Sequence, residues 1–197
     1  MPIFKPTEGA TPIDDVSELI PTHITTKAEL DEWEAANILK AVRKYLSAKN
    51  KPKITAEWLK KVHKDMFDET WAWAGKFRTK NTNVGVDFQH IQEEVKKLVD
   101  DIDFWQKNVG VPGIFEQSVR IHHRLVLIHP FANGNGRHAR LVADKFLFSH
   151  GEKLPSWPDA GLIKKTDIRT KYIRALRSAD RGDYKSLEEF TRDLIKE

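Results

Sequence analysis

The stretch His129-Pro-Phe-Ala-Asn-Gly-Asn-Gly-Arg-His-Ala-Arg140 decides how this chain is read, because it joins a titratable base to a glycine-rich turn and an arginine-bearing helix start. Gly134 and Gly136 carry no Cβ, so backbone N–H groups there can approach an anion closely. From Asn135 onward the pattern is that of a first helical turn, whose unpaired amides and dipole attract negative charge. Arg137 and Arg140 fall on one side of such a helix, where two guanidinium groups suit phosphate oxygens. His129 adds a base that titrates near neutral pH. The combination points to a polyphosphate with a proton transfer beside it.

Working outward, helical periodicity dominates. Thr26-Lys-Ala-Glu29 spells a capping box ahead of a helix to about Leu46, with Leu30, Trp33, Asn37 and Ala41 on one face. Thr55 caps a second helix carrying Trp58, Val62 and Met66. Between Gly75 and Phe88 the residues Phe77, Arg78, Thr79, Asn81, Thr82, Asn83, Val84, Gly85 and Val86 have strand and turn chemistry, which predicts a short hairpin. Further helices are expected over about 90–107, 113–128 and 135–150, with Gly151 as a C-cap, and near 163–179 and 184–195. Residues 1–25, with four prolines, read as an irregular arm, and 26–197 as a single domain. The fold class is therefore mainly α, a bundle of about seven or eight helices with one short β-hairpin.

At 197 residues the chain suits one domain with a real core. It has no cysteine, which excludes disulfides and thiolate metal sites. No signal-like N-terminus and no apolar run of membrane-spanning length is present, so the sequence reads as cytoplasmic with no membrane partner. The net charge is +4, yet residues 1–35 hold Glu8, Asp14, Asp15, Glu18, Glu29, Asp31, Glu32 and Glu34 against Lys5 and Lys27. That segment is either a solvated acidic face or an acidic cover over a basic site.

The twelve-residue stretch resembles the signature of the Fic (Fido) family, HPFx(D/E)GNGRxxR, whose fixed positions are met by His129, Pro130, Phe131, Gly134, Asn135, Gly136, Arg137 and Arg140. The chain is also similar to small bacterial members of that family through Ile20-Pro-Thr-His-Ile-Thr-Thr26, Trp73-Ala-Gly-Lys-Phe-Arg78 and His122-His-Arg-Leu125. The resemblance implies a Fic-like helical fold and transfer of AMP from ATP to a Tyr, Thr or Ser hydroxyl of a target protein. It implies His129 as the base and Gly134, Asn135, Gly136, Arg137 and Arg140 as phosphate-binding residues. A flap, Asn81, Thr82, Asn83, Val84 and Gly85, would dock the target backbone by strand addition. Magnesium or manganese would assist, but Asn133 stands where the family carries an acidic ligand, bringing an oxygen without a charge. A helix-turn-helix protein is a further partner suggested by the resemblance.

The family's inhibitory helix reads (S/T)xxxE(G/N), its glutamate pairing with the second arginine of the motif. Thr25 to Glu29 has that spacing, but Leu30 replaces the small residue. Glu29 and Glu34 are the candidate inhibitory carboxylates, and weak inhibition at most is expected.

Other clusters have plainer readings. His122 and His123 are consecutive, so a helix points them about 100° apart, and with His138 they make a poor metal set. Lys164, Lys165, Arg169, Lys171, Arg174, Arg177 and Arg181 form a basic segment, but Tyr172, Ala175 and Leu176 give it a core-facing stripe, which argues against nucleic acid. Trp71 and Trp73 read as core or hairpin anchors. Two alternatives to adenylyl transfer stay open: transfer from another phosphate donor, or a nucleotide-binding regulatory module with weak catalysis because of Asn133.

Overall fold

A computed structural model of the chain describes residues 17–158 and 167–195. Seven α-helices follow one another among them: α1 (Lys27–Tyr45), α2 (Ala56–Phe67), α3 (Ile91–Lys107), α4 (Ile114–Ile128), α5 (Asn135–Ser149), α6 (Asp167–Ala179) and α7 (Lys185–Asp193), with a 3-10 turn at Phe88–His90 before α3. Their starts follow the capping chemistry of the sequence. The Thr26 hydroxyl accepts the Glu29 N–H, and the Glu29 carboxylate returns to the Thr26 N–H at 2.9 Å. Thr55 caps α2 in the same way through the Trp58 N–H.

Helices α4 and α5 form the centre, joined by the loop 129–134. Ile121, Leu125 and Ile128 of α4 and Val142 and Phe146 of α5 pack with Leu59, Val62, Met66 and Phe67 of α2 and Val95 and Leu98 of α3, all essentially without solvent exposure. A smaller cluster, Val119, Tyr172, Ala175, Leu176, Ala179 and Leu187, ties α6 and α7 to the outer end of α4. Burying a single leucine- or phenylalanine-sized side chain contributes about 1.5–3 kcal/mol, so this two-part core is the main source of stability. Of the arm, residues 1–16 lie outside the described residues, as do Lys164 and Lys165 of the basic segment. Its last part is held in register: Ile20 N donates to Thr70 O and Ala72 N to Glu18 O, both at 2.9 Å, around a Leu19–Trp71 bridge.

Helix α5 is buried on almost every side, although it carries His138, Arg140, Asp144 and Lys145. Buried polar groups need partners, and these side chains use theirs to hold neighbouring segments. His138 Nε2 donates to Leu59 O at 3.0 Å, Lys145 Nζ donates to Ala48 O at 2.7 Å, and Asp144 accepts the Trp157 indole N–H at 3.0 Å.

Two expectations are corrected. The hairpin between Gly75 and Phe88 does not form a ladder: the only strand-type pairing there is an isolated bridge between Phe77 and Phe131 among the described residues. The Arg78 guanidinium donates to the carbonyls of Lys80 and Val86, and Asn81 binds Asp87 and the Phe88 N–H, so side chains close the loop instead of cross-strand amides. On α1 the buried face is also turned. Trp33 is 38% exposed, with its N–H on Glu69 O, while Glu34 is only 5% exposed.

Burial keeps several histidines neutral. His122 is pushed down to about 3 and His138 to about 4, burial being the largest cause in each, and His63 is driven well below its usual range for the same reason. Each of these rings takes up its proton more readily once unfolded, near pH 6.5. Their stabilising share is therefore complete above that pH and is lost as the pH falls below it, by up to about 1.4 kcal/mol per unit for each histidine. The urea midpoint should drop steeply between neutral pH and about 4. A midpoint that stays flat across that window contradicts the burial of neutral imidazoles.

Candidate active site

Helix α4 ends in a backbone twist that aims its last residue. His129 has φ 53 and ψ 57, and it is the one non-glycine residue of positive φ among the described residues. Such a conformation costs on the order of 1–3 kcal/mol and persists only where the surroundings impose it. They do so here. Pro130 cannot continue a helix, Arg78 Nε donates to His129 O at 2.8 Å, and Arg78 N donates to Pro130 O at 2.9 Å. Phe131, without exposure, anchors the loop in the core.

His129 is itself 8% exposed, and burial chiefly holds its ring down to about 4. The Val126 carbonyl opposes that shift and the nearby Arg78 charge adds to it. Nδ1 lies 3.3 Å from Val126 O, which places the proton of the neutral ring on Nδ1 and the lone pair on Nε2. At neutral pH the ring is therefore an unprotonated base.

The turn after Phe131 is equally determined. Gly134 has φ 75, and a Cβ there would fall 2.4 Å from the Phe67 ring. Asn135 accepts the Phe131 N–H through Oδ1 at 2.9 Å and donates through Nδ2 to Phe131 O at 2.8 Å. Its buried side chain thus closes the loop on itself, which corrects the expectation that it faces the phosphates; the spacing could not show which way it turns. Gly136 differs from Gly134: a Cβ there would meet nothing closer than Arg140 Nη1 at 4.0 Å.

Arg137 and Arg140 do not form the one-sided clamp expected of their spacing. Arg137 Nη1 pairs with Glu34 Oε2 at 2.7 Å, its guanidinium 4.9 Å above the Phe67 ring. Arg140 lies 5.7 Å from the Trp157 ring and hydrogen-bonds the Tyr172 hydroxyl. The two inhibitory candidates also separate. Glu29 is held by the Thr25 and Thr26 amides in the capping box and takes no part in the site. Glu34 instead reaches the first arginine of the motif, its other oxygen accepting the Trp71 indole N–H at 2.7 Å.

The loop Asn81, Thr82, Asn83, Val84 and Gly85 passes directly against the base. A Cβ on Gly85, which has φ 100, would lie 2.5 Å from His129 Cβ and 3.0 Å from Ile128 O. Two residues that the sequence reading did not single out complete the site. Arg78 ties this loop to the His129 carbonyl, and it sits in the segment whose resemblance was noted. His63 accepts the Gly75 N–H at Nδ1 and donates from Nε2 to Asn133 O, both at 3.0 Å, with its ring stacked 3.7 Å from Phe131. Its place on the Val62 and Met66 side of α2 was the available signal. His122 and His123, by contrast, bind Tyr172 and Asp180 and lie in the structural half of the molecule.

A resident cation is poorly provided for. The Asn133 amide oxygen is neutral and already accepts the Gly134 N–H at 2.6 Å, and no group of three or more His, Asp or Glu residues able to hold a metal is present among the described residues. The donors of the described residues do not by themselves build a metal centre.

These features define a helical domain whose central loop presents a neutral base and an amide-rich helix start. Residues 53–147 match the sequence model of the Fic/DOC family, and the chain carries a domain of that family. It is 32% identical over 129 residues to the protein adenylyltransferase fic-1 of Caenorhabditis elegans, covering 62% of this chain and 23% of the relative. It is 29% identical to the protein adenylyltransferase Fic of Nematostella vectensis, covering 59% of this chain and 26% of the relative. The chain thus spans about a quarter of the length of these curated relatives. Among solved structures, the BepC effector of Bartonella tribocorum with bound AMPPNP superposes with a TM-score of 0.67 at 21% identity, over 90% of this chain and 92% of that one, which establishes the shared fold.

Arg78→Ala should free the loop and alter the base. Hydrogen exchange at residues 80–87 should speed up by about tenfold or more, equivalent to about 1.4 kcal/mol of lost protection. The His129 ring, relieved of a positive neighbour, should titrate nearer 6.5, as followed by NMR. Unchanged exchange would show that the loop is held by something else.

Proposed function

We propose that this domain transfers the adenylyl group of ATP to a Tyr, Thr or Ser hydroxyl of a target protein. The observation that carries this reading is the half-buried Gly136 in the first turn of α5: among the described residues, no atom that a Cβ there would meet requires glycine. Close approach of a ligand to the helix amides does require it. The adenylyltransferase relatives agree with that choice of donor.

In the reaction, His129 Nε2 takes the proton of the target hydroxyl. The oxygen forms a bond to the α-phosphorus while the bond from that phosphorus to the bridging oxygen breaks, and pyrophosphate leaves in line. Catalysis of this kind is mainly positioning and stabilisation of spreading negative charge. The amides of Gly134, Asn135 and Gly136 provide the stabilisation, and Arg137 and Arg140 swing from their resting partners to the outer phosphates. The backbone of residues 81–85 aligns the target chain. Asn133 would offer magnesium or manganese a single neutral oxygen, so the cation would be held chiefly by the triphosphate, whose charge it would offset. The reading places the reaction in the cytoplasm, where ATP is available; a helix-turn-helix partner rests on sequence resemblance alone.

Mass spectrometry of the protein, alone and in lysate with each nucleoside triphosphate and magnesium or manganese, tests the reading. An adenylyl increment is expected, and a different increment would favour another phosphate donor. Nucleotide binding with no increment on any protein would leave the regulatory-module alternative that Asn133 motivates. His129→Ala should abolish labelling while leaving nucleotide affinity nearly unchanged, since the base acts on the target's proton; full activity in that variant removes His129 from the chemistry.

Glu34 restrains the same site in this reading. Its carboxylate neutralises Arg137 at rest, so ATP must displace a half-buried ion pair. This revises the expectation of weak inhibition at most. Glu34→Gln keeps an acceptor for the Trp71 indole and removes the charge. Labelling should rise by about tenfold or more, corresponding to about 1.4 kcal/mol, and no rise would mean that Arg137 is not limiting.

A further inference from the structure

The loop that faces His129 is approached across a surface of one charge. Lys60 and Lys64 stand one turn apart on α2, so they share a side of that helix. The Gly75 turn lies against that side: a Cβ on Gly75 would fall 2.7 Å from Lys64 Cβ and 3.0 Å from Lys60 O. From there the chain runs through Lys76, Phe77 and Lys80 into residues 81–85, and Lys60 Nζ sits 4.6 Å from the centre of the Phe77 ring. Phe77 in turn bridges to Phe131, and Arg78 donates to both Lys80 O and His129 O, at 2.9 and 2.8 Å. Lysines therefore reach from α2 to the neck of the loop beside the base.

These lysines lack the local compensation found elsewhere on the surface. Lys97 and Lys107 on α3 meet Glu93 and Asp103 one turn away, at 2.8 and 2.7 Å, and Lys40 and Lys44 on α1 meet Glu69 and Asp65, both at 2.6 Å. Lys60, Lys64, Lys76 and Lys80 make no ion pair among the described residues, although the last three are exposed. Glu57 and Asp68 stand at the two ends of α2 and pair with none of them. Asp87, at the far side of the loop, is engaged by Asn81 Nδ2 and the Gln89 N–H. A positive surface without counter-charges of its own attracts an anionic partner and speeds its approach.

We propose that this basic face is a docking surface for an acidic protein segment, selecting targets whose acceptor hydroxyl is flanked by aspartate or glutamate. The hydroxyl half of this statement rests on the adenylyl-transfer reading; the docking of an acidic segment does not. The occupant is a protein segment because the lysines lead into the backbone that would align an extended chain. Such a chain rises about 3.3 Å per residue, so acidic side chains within a few positions of the hydroxyl meet Lys80 first and Lys60 and Lys64 further out. Exposed ion pairs are individually weak, so selectivity comes from several acting together and shows chiefly in the rate of association.

Two fluorescent peptides carrying the same single Tyr, Thr and Ser test the proposal, one with Asp and Glu around these residues and the other with Asn and Gln. By anisotropy with the full chain and a non-hydrolysable ATP analogue, the acidic peptide should bind about tenfold more tightly at low salt. The advantage should vanish by about 1 M salt, where the screening length falls to about 3 Å. Lys60→Glu combined with Lys80→Glu should reverse the preference, and the milder Lys60→Gln with Lys80→Gln should erase it, with the affinity for the ATP analogue kept in both. Lys107→Glu, at the opposite end of α3 from the loop, should change nothing. Equal binding of the two peptides, or a preference that survives in the glutamine variant, overturns the proposal. A single-stranded oligonucleotide that binds more tightly than the acidic peptide at the same salt assigns the face to nucleic acid and overturns it as well. Incubation with ATP and magnesium separates this inference from the reading beneath it. An acidic preference in binding with no adenylyl increment on either peptide counts against the transfer and leaves the docking face standing, whereas equal labelling of both peptides keeps the transfer and removes the face.

Discussion

The His63 ring lies without solvent exposure between two backbone segments remote in sequence, accepting the Gly75 N–H on one nitrogen and donating to the Asn133 carbonyl with the other. Its face stacks on Phe131, which fixes the start of the same loop. Only the neutral ring with its proton on Nε2 satisfies both segments; a second proton on Nδ1 would face the Gly75 N–H, donor against donor. Burial and the neighbouring His138 and Arg137 hold the ring neutral by pushing its proton affinity down. The turn that presents Gly134 thus depends on an imidazole that has no access to substrate, which separates the stability of the loop from its chemistry.

Arg78 does for the other side of the base what His63 does for the turn. One planar guanidinium engages the carbonyls of His129, Lys80 and Val86, so the left-handed end of α4 and the neck of the 81–87 loop are set by the same group. A lysine cannot reproduce this, because its donors radiate from a point and do not form a rigid fork. Gly85 pressed against His129 completes the arrangement. Movement of the loop and aim of the base are therefore mechanically coupled.

Much of this was legible in the chain. The capping residues Thr26 and Thr55 and the apolar spacing of α2 to α5 located the helices to within a residue or two, and the His129–Arg140 stretch supplied the candidate site residues. What escaped is what local pattern cannot carry. Hydrophobic periodicity put Trp33 inside α1, but Glu34 is the buried residue because its partners, Trp71 and Arg137, come from 37 and 103 positions further along. The hairpin failed for a similar reason: strand-like residues pair only if their carbonyls are available, and Arg78 had claimed two of them. Asn135 occupies a ligand-facing position by spacing and a loop-closing position by geometry, a choice made by the buried amide and carbonyl of Phe131.

The two motif arginines each need a partner within the fold. Two arginines within one turn of α5 repel each other unless each is neutralised or dispersed. Arg137 finds Glu34 and the Phe67 face, while Arg140 finds the Tyr172 hydroxyl and the Trp157 face. The Arg137 pair has a buried carboxylate that would be left unmatched if the arginine moved, a loss of order several kcal/mol unless Glu34 also relocates or gains a proton. Moving Arg137 therefore means unseating Glu34, which ties this arginine of the loop to α1.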